Sequence, residues 1–329
     1  MSSESSGDLE LASDMLAHYD AELRLPADLT GRGETRTVGQ FTICVAADRA
    51  FITHKALLDA SAENSRQPAQ SNGSQSSVTQ SPVTQSPVAQ SSVTQSSVAR
   101  PSGASPLESP PLDSMREMMV EVLTHCVQLP NLAEISWRAR SHDHLNPATL
   151  LPGLGFQLVS TEATMLAEID QLADLAVPSD CLVRAAGDGA DLTADLRRFA
   201  FIHSQTLGPL RCVDELQTMV EADRAAVFLS YLDGQLASVG RVDLITDSCA
   251  LLYGTGTLAE FRGRGSYRAQ LAARLCWAAE HGARYVLADA KQSSAPTLSR
   301  AGCQPITQTS DWVTMTSIVR RRLGLSAGG

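Results

Sequence analysis

The sequence predicts an α/β fold, and two observations carry that prediction. Residues 251–290 read as strand, glycine-punctuated loop, long helix and strand in close succession, the pattern of two parallel strands joined by a crossover helix. The order helix, strand, short helix, glycine-centred triplet and strand also occurs twice, once before residue 170 and once after residue 250. Function in such units gathers at the carboxyl ends of the strands.

The first half opens with Leu11, Met15, Tyr19 and Leu23 at helical spacing, and Phe41–Ala46 and Phe51–His54 then read as strands. Residues 66–111 break this order, being dominated by Ser, Gln, Pro, Val and Thr with almost no charge, and carry the series SSVTQ, SPVTQ, SPVAQ, SSVTQ, SSVAR. Their valines are too sparse to build a core and the period is too short for a solenoid of globular units, so the segment reads as a disordered insertion in a surface loop. A short β-helix and a binding tail are the alternatives. Beyond it, Leu112–Val127 reads as a helix and Glu134–Arg140 as an alternating strand; a short helix then ends at Leu154, Gly155 and Phe156, and another strand follows.

In the second half, residues 254–258 read as the end of a strand, and the helix begins at Ser266 as its N-cap. Tyr267, Leu271, Leu275 and Ala278 give that helix its stripe, Gly282 its C-terminal cap, and Tyr285–Ala288 forms a mostly buried strand ending at Asp289. Between strand and helix, Gly263 and Gly265 let the backbone curl with its N–H groups inward, Arg262 and Arg264 add charge, and the helix dipole points to the same place. An anion belongs there. Gly254, Gly256 and Ala259, with Glu280 beyond, satisfy the G-x-G-x-x-[GA] dinucleotide pattern, but a Rossmann helix would start near Gly256, well before helical periodicity begins. The G-x-x-x-x-G-K-[ST] loop fails for lack of a lysine.

The string Glu260, Phe261, Arg262, Gly263, Arg264, Gly265 resembles the [QR]-x-x-G-x-[GA] signature of the GNAT N-acetyltransferase superfamily, with Glu260 in place of Gln or Arg at the first position. The resemblance spans residues 181–318 and implies a mixed α+β sheet and the use of acetyl-CoA. It implies that Thr255, Gly256 and Thr257 pair with the pantetheine arm and that Arg262, Gly263, Arg264, Gly265, Ser266 and Tyr267 wrap the pyrophosphate. The next superfamily segment, a short helix ending here at Ala301, Gly302 and Cys303, often holds a tyrosine acid at the position of Leu298. The doubled order of elements suggests a tandem chain: a degenerate GNAT-like half at 1–175, lacking any R-G-x-G loop, a GNAT half at 178–318, and a tail at 319–329.

These readings make the chain an N-acyltransferase in which an amine attacks the thioester directly, with a small-molecule amine or a protein N-terminus as acceptor. A backbone N–H near Thr257 polarises the carbonyl. Asp289 is the candidate base, its alternative role being a cap or salt-bridge partner, and Glu260 stands in reserve. A noncatalytic acyl-CoA sensor, favoured by Leu298, and a protein-recruiting scaffold are the alternatives from other classes.

Composition sets bounds on the rest. A chain of 329 residues with 43% apolar content can bury two cores, and a net charge of −10 opposes nucleic-acid and acidic-membrane binding. No apolar run approaches a membrane span and the first residues are polar and acidic, so a cytoplasmic location is expected. Seven cysteines without a C-x-x-C pair point to reduced thiols, and no metal is expected. Ser141, His142, Asp143 and His144 read as a polar loop rather than a metal site; His203 and His281 as structural; Trp137, Trp277 and Trp312 as packing groups; and Arg320, Arg321 and Arg322 as a solvated tail.

Overall fold

A computed structural model describes residues 13–29, 33–54, 112–143, 147–172, 175–189, 191–208 and 213–325. Leu11, His144 and the insertion at 66–111 lie outside these residues.

A helical segment at 13–29 (α1), with a π-helical turn at Tyr19–Leu23, leads into three strands, β1 (Glu34–Val38), β2 (Phe41–Ala46) and β3 (Arg49–His54). Then come α2 (Leu112–Gln128), β4 (Glu134–Arg140), two short turns of 3₁₀ helix and the long β5 (Gln157–Glu168). The second half adds β6 (Cys181–Ala185), α3 (Leu192–Thr206) and α4 (Val213–Glu221) before its own three-strand meander, β7 (Ala225–Leu232), β8 (Gln235–Leu244) and β9 (Cys249–Thr257). It closes with α5 (Ser266–Glu280), β10 (Tyr285–Ala290), α6 (Ala295–Ala301), β11 (Gln304–Met315) and α7 (Thr316–Arg322).

The eleven strands of the described residues join one mixed sheet in the order β1-β2-β3-β4-β11-β5-β10-β9-β8-β7-β6. Only β3 with β4 and β9 with β10 run parallel, each pair being bridged by a helix, α2 or α5, as the strand-helix-strand pattern requires. The two halves repeat one another, β1 to β5 matching β7 to β11, but they exchange their last strands. β11 pairs with β4 of the first half, and β5 lies between β11 and β10 of the second, all antiparallel. The sheet therefore runs unbroken across the boundary expected near residue 175.

Burial follows the alternation of each strand. On one face, Ala226, Phe228, Val242, Leu252, Met165 and Ala288 pack with Leu271, Leu275 and Ala278 of α5. On the opposite face of the same strands, Val227, Leu229 and Val239 lie under Leu196, Phe199 and Ile202 of α3, while Cys249, Leu251, Leu287 and Leu166 lie under Met15, Tyr19 and Leu23 of α1. The first half has its own core, where Trp137 meets Phe41 and Phe156 edge-on beneath α2.

Several local expectations change. β1, Glu-Thr-Arg-Thr-Val, is an exposed edge strand without an apolar stripe and gave no period-2 signal. Arg320, Arg321 and Arg322 belong to α7 rather than to a tail: Val319 is fully buried, and Arg320 Nη2 donates to the Val127 carbonyl at 2.5 Å. The loop after β4 is not simply solvated either, because Asp143 is buried against Arg24 at 2.7 Å and His142 meets Asp20 at 3.0 Å. His281 stacks on Trp277 with ring centroids 3.9 Å apart and reaches Asp223, a structural role. Among the described residues six cysteines are free and no helix is long and apolar enough to cross a membrane.

Candidate active site

β9 and β10 pair only from Cys249, Ala250 and Leu251 to Tyr285, Val286 and Leu287. Beyond that point β9 runs on to Thr257 bonded to β8 alone, and β10 runs on to Ala290 bonded to β5 alone. The two parallel strands splay into a wedge that opens at their carboxyl ends. Its β9 wall carries Thr255, Gly256 and Thr257 with their wedge-side backbone groups outside any strand pairing among the described residues.

The loop from β9 to α5 closes the mouth of this wedge. Phe261, buried with Leu232 and Ala237, pins its first turn, and Leu258 N–H donates to the Ala237 carbonyl. Gly263 and Gly265 then adopt φ of +77° and +88°, the left-handed region that an L side chain enters at a cost. A Cβ on Gly263 would meet nothing within 4 Å, whereas one on Gly265 would collide with the Pro178 ring. Among the described residues, the N–H groups of Gly263, Arg264 and Gly265 have no hydrogen-bond acceptor, and α5 adds the unpaired N–H groups of its first turn. Helix dipole and bare donors together make an anion cradle, and the open side of Gly263 leaves it room.

The loop differs from expectation in two ways. Gly265, not Ser266, is the N-cap of α5; Ser266 is buried in the first turn, its hydroxyl bonded to Ser230 Oγ of β7 at 2.7 Å. Arg264 is turned to Asp233 at 2.9 Å and lends the cradle less charge than the sequence suggests, while Arg262 Nε donates to the Thr257 carbonyl at 3.2 Å and stiffens the loop. Arg274 of α5, which the sequence pattern hides among helical core positions, sits buried beneath the wedge. It donates to Thr255 Oγ1 at 2.8 Å, and burial pulls its guanidinium down to about 10. Tyr267 packs into the core on that side, and burial pushes its hydroxyl pKa up.

Asp289 lies on the other face of the sheet. Its Oδ2 accepts from Arg138 Nη1 at 3.0 Å and its Oδ1 from Thr164 Oγ1 at 2.7 Å, so it is engaged as an ion-pair partner by strands of the first half. Glu260 is exposed on the 3₁₀ turn before the loop. Leu298, at the position expected of a tyrosine acid, is 2% exposed in the core beside α5.

Around Asp289, between the areas covered by α1 and α3, the sheet presents a polar basin. Tyr253 of β9 is half exposed there. Arg138 of β4 also donates from Nε and Nη2 to Asp311 of β11, at 2.7 and 2.8 Å, and Ser160 of β5 reaches the same carboxylate. Glu162 of β5, between Ser160 and Thr164 on this face, was not singled out by sequence: its setting exists only because β5 crosses into the second half. Burial, reinforced by Asp289 and Asp311, pushes its carboxyl up to about 6. No group of three or more His, Cys, Asp and Glu suited to a metal occurs among the described residues.

The corresponding place in the first half is filled by protein. β3 and β4 pair from Arg49 to Ile52, and just past that point the buried Asp28 of α1 joins the two strands. Its Oδ2 accepts from Thr53 Oγ1 and its Oδ1 from Arg140 Nη2, both at 2.6 Å. Where the second half has its loop, the first has the insertion between β3 and α2.

No protein-family model matches the sequence, and no curated protein matches it. The structure is similar to a GCN5-related N-acetyltransferase from Kribbella flavida, with TM-score 0.53 and 13% identity over 93% of this chain and 94% of that one. A GCN5-related N-acetyltransferase from Sphaerobacter thermophilus aligns with TM-score 0.49 and 13% identity over 95% of this chain and 94% of its own. A tandem GNAT protein from the clavulanic acid biosynthesis pathway aligns at 0.47 and 13%, over 84% and 78%. At such identity the likeness to the Kribbella structure is one of fold.

Proposed function

We propose that this chain, which has the GCN5-related N-acetyltransferase fold arranged as two related halves, is an N-acyltransferase that passes an acetyl group from acetyl-CoA to a primary amine by direct attack. The observation that carries the reading is the cradle at Gly263 and Gly265, with N–H groups that have no acceptor among the described residues, set at the mouth of the wedge between β9 and β10. Such a cradle suits a pyrophosphate, and the wedge suits an extended arm whose amides bond the edge that no strand pairs, among the described residues, at Thr255, Gly256 and Thr257. Acetyl-CoA, when bound, supplies the activated thioester. The protein's own tasks are to anchor the pyrophosphate through residues 262–267, to offer a backbone N–H near Thr257 to the carbonyl oxygen, and to take a proton from the amine. The sequence offers Asp289, near the end of β10, for that proton, with Glu260, exposed on the 3₁₀ turn before the loop, in reserve; both oxygens of Asp289 already accept hydrogen bonds, from Arg138 and Thr164.

The acceptor is a small-molecule amine or a protein N-terminus. The division into a degenerate half at 1–175 and a cofactor-binding half at 178–318 belongs to the same proposal and predicts one CoA per chain. A second reading, a noncatalytic acyl-CoA sensor, draws on Leu298, whose buried side chain can protonate no leaving thiolate. Calorimetric titration with CoA, followed by thiol release from acetyl-CoA against a panel of amines, tests all of this. One site per chain with turnover is the expected result; binding without turnover favours the sensor, and no binding removes both readings.

A further inference from the structure

The basin beside the wedge holds the carboxylates of Glu162, Asp289 and Asp311, with Arg138 among them. Arg138 spends its donors on Asp311 and Asp289, with a longer contact to Asp28; Ser160 adds a bond to Asp311 and Thr164 one to Asp289. Among the described residues nothing donates a hydrogen bond to Glu162. Its position is fixed by register. β5 runs antiparallel to β10, with Thr164 opposite Asp289 and Ala163 opposite Ala290, the last residue of β10, so Glu162 stands just past the end of β10, where the wedge opens. Met165 and Ala163 pack on the α5 side, which turns Glu162 to the basin with Thr164 and Asp289.

We infer that Glu162, carried into the second half on the exchanged strand β5, is the base that takes the proton from the acceptor amine. The inference rests on the acyl-transfer reading above. The acceptor's ammonium gives one proton to the Glu162 carboxylate, and the freed amine forms the N–C bond as the C–S bond breaks. The sulfur leaves with the bonding pair, the second proton of the nitrogen ends on it, and Glu162 returns its proton to solvent. A base for this step works best when it titrates near the working pH. The groups facing Glu162 set that balance: Asp289 and Asp311 favour its neutral form together with burial, against Arg138 and Lys291. The first half, on this view, contributes to the chemistry as well as to packing.

The test uses the full chain as wild type, Glu162→Gln and Glu162→Asp, with calorimetric CoA affinity and thiol release from acetyl-CoA to spermidine, kanamycin and an alanine-initiated peptide, from about pH 5 to about pH 9. Glu162→Gln should bind CoA as the wild type does while its kcat falls about 100-fold. The acidic limb of the wild-type profile, centred near 6, should vanish with it, and Glu162→Asp should recover part of the rate. A Glu162→Gln protein with wild-type kcat and an unchanged acidic limb, or one that loses CoA affinity together with rate, overturns the inference and leaves the acyl-transfer reading standing. A wild type that binds no CoA, or binds it and transfers to none of the probes, overturns both.

Discussion

Gly263→Glu separates the ligand-binding role of the loop from its structural one. At φ of +77° any side chain costs about 1–2 kcal/mol of backbone strain, but a new Cβ there meets nothing within 4 Å, so no packing penalty follows. For a folded unit of this size a loss of about 1 kcal/mol lowers Tm by about 2–4 °C, and Gly263→Ala serves as the control for that share. The carboxylate of Gly263→Glu adds repulsion toward a bound diphosphate. One charge pair about 4 Å apart is worth about 1 kcal/mol in water and about 4 kcal/mol at an effective dielectric of about 20. A loss of CoA affinity of roughly a hundredfold, about 2.8 kcal/mol, is the expected mid-range outcome by calorimetry. Gly265→Ala should behave in the opposite manner, losing stability first, because its Cβ strikes the Pro178 ring. Wild-type CoA affinity in Gly263→Glu, with the wild type itself binding, would refute the reasoning about the cradle.

Residues 178–329 expressed alone should be insoluble or lack a cooperative melt, since β10 and β11 lose β5 between them and the core loses Met165 and Leu166, each worth about 1.5–3 kcal/mol; co-expression with residues 1–175 should restore a folded complex on size exclusion. Asp28→Asn should cost about 3 kcal/mol, on the order of 10 °C in Tm, because it removes the buried carboxylate between Thr53 and Arg140. The same carboxyl is held well below the usual range by Arg140 and Arg138 against the cost of burial. Its stabilisation is therefore present above the unfolded pKa of about 3.9 and drains away as pH falls below it, so calorimetric Tm should drop more steeply in acid for wild type than for Asp28→Asn. Deleting residues 70–108, which lie outside the described residues, should leave Tm and CoA affinity nearly unchanged.

What the sequence makes legible is local. Tyr267, Leu271, Leu275 and Ala278 announce α5, Gly282 its end, and Gly263 and Gly265 the turn between strand and helix, because period and glycine placement are properties of a few consecutive residues. Even there, Ser266 reads as a cap until Gly265 is seen to take that role and Ser230 to claim the hydroxyl. The exchange of β5 and β11 leaves no such mark, since the alternation along residues 157–168 says which face is buried and nothing about which strand lies alongside. Asp28, Arg138 and Arg140 are likewise unreadable as a set, being brought together only by the packing of α1 over β4. Glu162 is hidden for the same reason, its surroundings being borrowed from the other half.

The crossing of the last strands also sets a schedule for synthesis. Ala139 and Ser310, which share a hydrogen bond across β4 and β11, are separated by 171 positions. At about 5–20 residues per second a ribosome needs roughly 10–35 s to cover that distance, through which β4 waits for β11, while β5, made early in the interval, waits for β10 and β11. For that interval the nascent first half presents two open edges, one of them the apolar stretch from Met165 to Ala167. The interlock that unites the finished molecule thus leaves these edges open in the growing one until β11, made after every other strand described, seals both halves at once.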